Sequence, residues 1–151
     1  MEQIDPAQYD LAASDFAEHM ERQAYNVLYE RPAMRSLVGD VAGLRVLDVA
    51  CGVGSLSAEM FDAGAQVVGS DASNEMLQLA RQRVGDDIDF IQQDCSKPFT
   101  WADDGSFDLI VMSLAYHYLN DHAVFLSEMH RVLRDDGSFV ISTHHPTDDW
   151  R

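Results

Sequence analysis

The most restrictive feature of this sequence is the stretch Leu44-Arg-Val-Leu-Asp-Val-Ala-Cys-Gly-Val-Gly54. It opens as a short apolar run with β-branched residues, the pattern of a strand buried on both faces. It closes in a turn, Ala50 to Gly54, after which a helical pattern starts at Ser55. Small residues at 50, 52 and 54 let the backbone bend sharply and come close to a ligand, because no Cβ stands in the way at the glycines. The first N–H groups of the next helix have no partner within it and point at whatever lies there. Asp48, just before the turn, sits where a strand end aims its carboxylate into the same crevice. Strand, turn and helix together outline a nucleotide-cofactor site.

The rest of the chain supplies what such a strand must pair with. Residues 7–38 have broken helical spacing in Leu11, Phe16, Met20, Tyr25, Val27, Leu28 and Tyr29, and Pro32 suits a break with a new helix over 33–38. Strands and helices then alternate. The pattern predicts strands at 44–49, 66–70, 88–92, 107–113 and 137–143, and helices at 55–63, 73–84 and 121–133. Gly64 fits the stop of the first of these helices and Ser73 the N-cap of the second. Asp136-Gly137 turns the chain into the fifth strand, whereas a turn-rich loop, with Lys97, Pro98 and Asp103 to Ser106, precedes the fourth. Such alternation implies an α/β fold, a parallel sheet with helices on both faces. At 151 residues the chain is about one domain, with 1–43 as an N-terminal helical cover and 44–151 as the core.

Composition narrows the partners. The formal charge of −16 repels phosphate backbones and anionic membranes, so neither nucleic acid nor a membrane surface is an expected partner. Met1 is followed by Glu2 and Asp5 with no apolar core behind them, and no run approaches a membrane span. Cys51 and Cys95 are too few for a disulfide scaffold and lack zinc spacing. A cytoplasmic protein with free thiols is expected.

In open sheets of this kind ligands bind beyond the carboxyl ends of the strands, where the strand order reverses. The predicted strand ends carry Asp48 to Gly54, Asp71, Asp94 with Cys95, Ser113 to Tyr118, and His144-His145. Asp71 stands 19 residues after Gly52 and can accept two hydrogen bonds from ribose hydroxyls, the reading favoured over the alternative of an acid stabilised by the dipole of the Ser73 helix. Asp94 can accept from an adenine amino group, or serve as a solvated loop acid.

These stretches resemble, in order, five motifs of the class I S-adenosylmethionine-dependent methyltransferases. Asp48-Val-Ala-Cys-Gly-Val-Gly54 resembles the first, and Gly69-Ser-Asp-Ala-Ser-Asn-Glu-Met-Leu77 the second. Asp94-Cys95 resembles the adenine-side motif, Phe107 to Ser113 the fourth-strand motif, and Arg131 to Gly137 the turn into strand five. Asn26 to Pro32 is similar to the leader of a small-molecule-modifying branch, in which N-terminal aromatics help to cover the cofactor. The resemblance implies a Rossmann-like doubly wound sheet that binds S-adenosyl-L-methionine and releases S-adenosyl-L-homocysteine. The residues it assigns to the cofactor are Tyr29, Asp48, Ala50, Cys51, Gly52, Gly54, Asp71, Ala72, Met76, Asp94, Cys95 and Ser113. Alanine at position 50 departs from the family's usual glycine.

The implied reaction is in-line attack by a small-molecule acceptor on the sulfonium methyl group. Because that methyl is already activated, the protein mainly has to hold donor and acceptor in line, and a base is needed only if the acceptor loses a proton. His117 is the first candidate base, with Tyr116, His117 and His145 as acceptor-side residues. The five histidines from 117 onward lack metal-ligand spacing, so no metal is expected. The family sheet usually ends with two further strands, one antiparallel, whereas this sequence stops at Arg151. The fifth strand would then be an open apolar edge, in a fragment or in a chain completed by a second copy or another subunit. Two rival readings follow. Gly52-x-Gly54-x-x-Ser57 is a degenerate dinucleotide fingerprint of a nicotinamide-dependent oxidoreductase, and the missing strands fit an inactive cofactor-binding or scaffolding subunit.

Overall fold

The computed structural model describes residues 26–144, so the expected helix over 7–25, Tyr25 and His145 lie outside the described residues. Five strands, β1 (Arg45–Val49), β2 (Gln66–Asp71), β3 (Asp89–Gln92), β4 (Phe107–Met112) and β5 (Leu133–Ile141), form one sheet in the order β3-β2-β1-β4-β5. Every neighbouring pair is parallel. β1 is central, with Asp48 level with Gly69 of β2 on one side and Val111 of β4 on the other. The chain runs outward from β1 in one direction through β2 and β3, then returns to lay β4 on the other side. The strand order therefore reverses between β1 and β4, and a crevice is expected beyond their carboxyl ends.

Alternate side chains of each strand feed two core layers. One layer packs Val46, Val67, Leu109 and Val111 against Met34 of α1 (Arg31–Val38), Leu56 and Met60 of α2 (Ser55–Asp62), and Leu77 and Ala80 of α3 (Asn74–Val84). The other packs Leu47, Val49, Ile110 and Met112 against Phe125, Met129 and Val132 of α4 (His122–Val132). No helix lies between β3 and β4. The wholly buried Phe99 and half-buried Trp101 fill that part of the layer instead, held by the Trp101 indole N–H donating to Gln93 Oε1 at 2.9 Å.

The caps follow the sequence. Ser73 Oγ accepts from Met76 N–H at 3.2 Å, and Asp121 Oδ1 from Val124 N–H at 3.0 Å. At the end of α2 the N–H of Ala65 reaches Met60 O and that of Gly64 reaches Phe61 O, the paired bonds that close a helix on a glycine. Two boundaries differ from expectation by more than a residue, and one turn was not expected. Asn26–Glu30 is a π turn that runs straight into α1, with Pro32 in the helix's first turn where its missing N–H costs nothing, so Pro32 marks no break. β5 starts at Leu133 and ends at Ile141, not 137–143, because Leu133 already pairs with Phe107 and residues 134–137 bulge before Ser138 meets Leu109. Tyr116–Tyr118 is a 3₁₀ turn, too short for hydrophobic periodicity to reveal.

Candidate functional site

The turn after β1 is built from left-handed backbone: Ala50, Gly52 and Gly54 have φ of 56°, 55° and 71°. Gly54 also lacks room for a side chain, since a Cβ there would lie 3.0 Å from both Ala80 Cβ and Phe90 Cζ. A Cβ at Gly52 would meet nothing within 4 Å, so the outer side of the turn faces open space. Cys51 N–H donates to Ser70 O at 2.9 Å, which fixes the turn to the end of β2. Gly54 precedes α2 without a side-chain cap, unlike Ser73 and Asp121 before α3 and α4.

Asp71 joins two of the predicted segments. One carboxylate oxygen accepts from Gly52 N–H at 2.8 Å and the other from Ser73 N–H at 2.9 Å. The glycine turn, the end of β2 and the start of α3 are thus one hydrogen-bonded unit. Asp48 lies beneath the turn, 1% exposed, and accepts from Ser57 Oγ at 2.6 Å. Burial pushes its carboxyl up to about 7, against the Ser57 hydrogen bond, and the charges of Asp71 and Glu30 add to the rise. Three carboxylates therefore crowd the switch point.

Around them the remaining predicted residues divide. Met76 is buried within α3, and Ala72 is half-buried and lines a groove of about 450 Å³ with Gln92, Gln93, Asp94, Lys97 and Pro98. Asp94 Oδ1 accepts from the Ser96 N–H (2.9 Å) and hydroxyl (2.7 Å), and Lys97 Nζ lies 3.5 Å from Oδ2. Partial burial pushes Asp94 up, but the Ser96 bonds and Lys97 outweigh it and hold the carboxyl below its ordinary range. Both thiols are pushed up by burial and by neighbouring carboxylates, Cys95 to about 12, so neither is a thiolate at neutral pH.

At the ends of β4 and β5, Ser113 donates to Glu30 Oε1 at 2.6 Å. The His117 ring stacks on His144 at 4.2 Å, with Nδ1 3.4 Å from Thr143 Oγ1. Tyr116 turns away from the histidine pair and stacks on His122 of α4 at 4.5 Å. Tyr29 stands 69% exposed on the π turn. Among the described residues no cluster of three or more His, Cys, Asp or Glu side chains could hold a metal ion, and no helix is long and apolar enough to cross a membrane. Glu30 was not among the candidates read from the sequence. A lone acid before Arg31-Pro32 gives no local sign of a contact made 83 residues away.

Two features fit S-adenosylmethionine: a glycine turn open on its outer side beside the Asp71 carboxylate, and carboxylates gathered at the switch point, a field that favours a cationic donor. The model of the methyltransferase domain family matches residues 47–141. Over 112 residues the chain is 42% identical to the demethylmenaquinone methyltransferase of Renibacterium salmoninarum, covering 73% of this chain and 46% of that protein. It is 40% identical over 106 residues to the ubiquinone/menaquinone biosynthesis C-methyltransferase UbiE of Citrifermentans bemidjiense, covering 64% of this chain and 44% of that one. The crystal structure of an S-adenosylmethionine-dependent methyltransferase from Mesorhizobium loti superposes with a TM-score of 0.73 at 39% identity, covering 78% of this chain and 54% of that chain. A methyltransferase solved in complex with the Haloferax volcanii Trm112 activator gives 0.79 at 26% identity, over 90% of this chain and 60% of that one. The chain spans about half the length of the curated relatives it matches. With the glycine turn, the Asp71 link and the 3-2-1-4-5 sheet in place, it belongs to the class I S-adenosylmethionine-dependent methyltransferases.

Proposed function

We propose that the protein transfers a methyl group from S-adenosylmethionine to a small-molecule acceptor, with a quinol-type ring as the first acceptor to test. The observation that carries the reading is Asp71, whose carboxylate ties the glycine turn to the end of β2 at the point where the strand order reverses. The names of the demethylmenaquinone and UbiE relatives supply the acceptor class.

Bound there, the cofactor would supply a methyl already activated by its sulfonium. The chain's own contribution is placement. Asp71 would accept from the ribose hydroxyls, while the left-handed turn of Ala50, Gly52 and Gly54, with Cys51 between them, would let the backbone approach the cofactor. Ala72, Met76, Asp94 and Cys95 form the adenine side, and Ser113 and Tyr29 the opposite wall and cover. Asp48, Asp71 and Glu30 set a negative field that favours a cationic donor. On the acceptor side, Tyr116 and His117 border the β4 end, and His117 takes the proton if the acceptor must lose one. A second copy or a completing chain would add a strand to the outer edge of β5, the last in the described sheet.

Calorimetric titration of the folded chain tests the cofactor. S-adenosylmethionine and S-adenosylhomocysteine should bind while NADH and NADPH do not. Asp71→Ala should weaken binding by about 1.5–3 kcal/mol, the range for a hydrogen bond to a charged group. Binding of NADH alone, or of none of the four, would overturn the reading. Transfer of labelled methyl to a demethylated naphthoquinol then tests the acceptor class.

A further inference from the structure

We propose that Glu30 is a positioning residue. Its carboxylate clasps the ends of β4 and β5 together beneath the N-terminal turn, and so fixes the loop that carries His117. That this loop borders a methyl-transfer site rests on the function proposed above; the clasp itself does not.

Glu30 is 7% exposed, although Val27, Leu28 and Tyr29 before it are 42%, 65% and 69% exposed. Its Oε1 accepts from Ser113 Oγ and from Ser142 Oγ, each at 2.6 Å. A buried carboxylate is costly unless hydrogen-bonded, and two hydroxyls on one oxygen meet that need. An apolar side chain would fill the same space at lower cost, so what the carboxylate adds is a fixed geometry between three distant segments. The link continues into the loop. Ser142 Oγ also accepts from Leu114 N–H at 3.0 Å, and Leu114 has φ of 51°, a region that residues with a Cβ avoid. A second bond, from Leu114 N–H to Ser142 O at 3.0 Å, anchors the same strained residue. Two residues later the chain enters the Tyr116–Tyr118 turn, where His117 meets His144 and Thr143. Glu30 thus reaches His117 along both arms of the loop pair, through Ser113 and Leu114 on one and Ser142 to His144 on the other.

Hydrogen exchange read by mass spectrometry on the full chain without ligand tests the clasp. In Glu30→Ala, exchange over 113–118 and 141–144 should rise about tenfold or more, with β1, β2 and α3 unchanged. Glu30→Gln keeps an oxygen that accepts from both hydroxyls and should stay within about threefold of wild type. Ser142→Ala should loosen 113–118 as Glu30→Ala does, and the double variant should add little, because both break one connection. If Glu30→Ala fails to fold, Ser142→Ala and Glu30→Gln still decide. Loosening confined to 26–38, uniform loosening, a Glu30→Gln as loose as the alanine variant, or an undisturbed loop in Ser142→Ala would each overturn the proposal. Wild-type titration with S-adenosylmethionine runs in parallel. Its failure would remove the cofactor reading and leave the exchange result standing.

Discussion

At the amino ends of the strands Asp108 accepts from Arg45 N–H at 2.8 Å and pairs with Arg134, and Arg131 reaches Glu128 at 2.5 Å and Asp104 at 2.6 Å. At the carboxyl ends, 1% exposed Asp48 accepts from the Ser57 hydroxyl and buried Glu30 from two serines, with no cation on either among the described residues. The first group holds its charge easily. The Arg45 amide with Arg134, and Arg131 at Glu128, keep Asp108 and Glu128 below the ordinary carboxylate range. In the second group Asp48 resists its charge, since burial pushes it up to about 7. Paired ions at the protein surface, several of them partly buried, join elements and ask nothing of a ligand. Buried carboxylates set among hydroxyls and amides bear a desolvation cost, and a cation placed among them offsets that cost.

The sharpest test of that contrast is Asp48→Asn. The folded value of about 7 lies above the unfolded value of about 3.9, so between those pH values the native state keeps a proton that the unfolded chain has lost. Stability from this group therefore falls as pH rises through that window, and the loss is complete above it. The amide should remove the slope and gain about 2–4 kcal/mol at pH 8 relative to pH 4, measured by urea unfolding of both proteins at each pH. A variant-to-wild-type difference that does not change with pH would break the comparison.

The amino end should respond otherwise. Arg131 also donates to the carbonyls of Ala102 and Phe99, at 2.9 and 3.1 Å. Arg131→Met should cost about 1–2 kcal/mol after allowance for solvent screening, with less loss in high salt, and should leave S-adenosylmethionine affinity unchanged. A changed affinity would show that the two ends are coupled. The smallest effect is expected at Ala50, whose φ of 56° asks a left-handed conformation of a residue with a Cβ. Ala50→Gly relieves about 1–2 kcal/mol of strain and loses about 0.4–1 to unfolded-chain entropy, so thermal unfolding should show a net gain of about 0.5–1 kcal/mol.

The parts of the fold that sequence made legible are those governed by neighbours in the chain. The β1 turn, the Ser73 cap and the four-residue run Leu109 to Met112 each contain their own cause: glycines for a bend, a hydroxyl for orphan N–H groups, an apolar run for a two-faced strand. Asp71 was legible because its distance from the glycines follows from one strand–helix–strand unit. What failed was decided at a distance. β5 begins early because Leu133 pairs with Phe107, and the bulge that follows places Gly137 where a Cβ would lie 2.9 Å from Asp108 O. Glu30 escaped notice because its partners are 83 and 112 residues away. Asp48 was placed at the right strand end, but periodicity could not say that Ser57 would close over it.

Phe90 of β3 lies against two glycines at once, Gly54 of the glycine turn and Gly69 of β2. A Cβ at Gly69 would lie 2.5 Å from its ring, and one at Gly54 would lie 3.0 Å from the ring tip. The ring is buried, so it cannot swing aside. The history open to these positions is therefore ordered. A lineage that first shortens residue 90 can afterwards accept alanine at 69, while the same two changes in reverse order pass through an overpacked intermediate. Volume at residue 90, on a strand two places from the switch point, decides which paths of divergence the glycine turn can take.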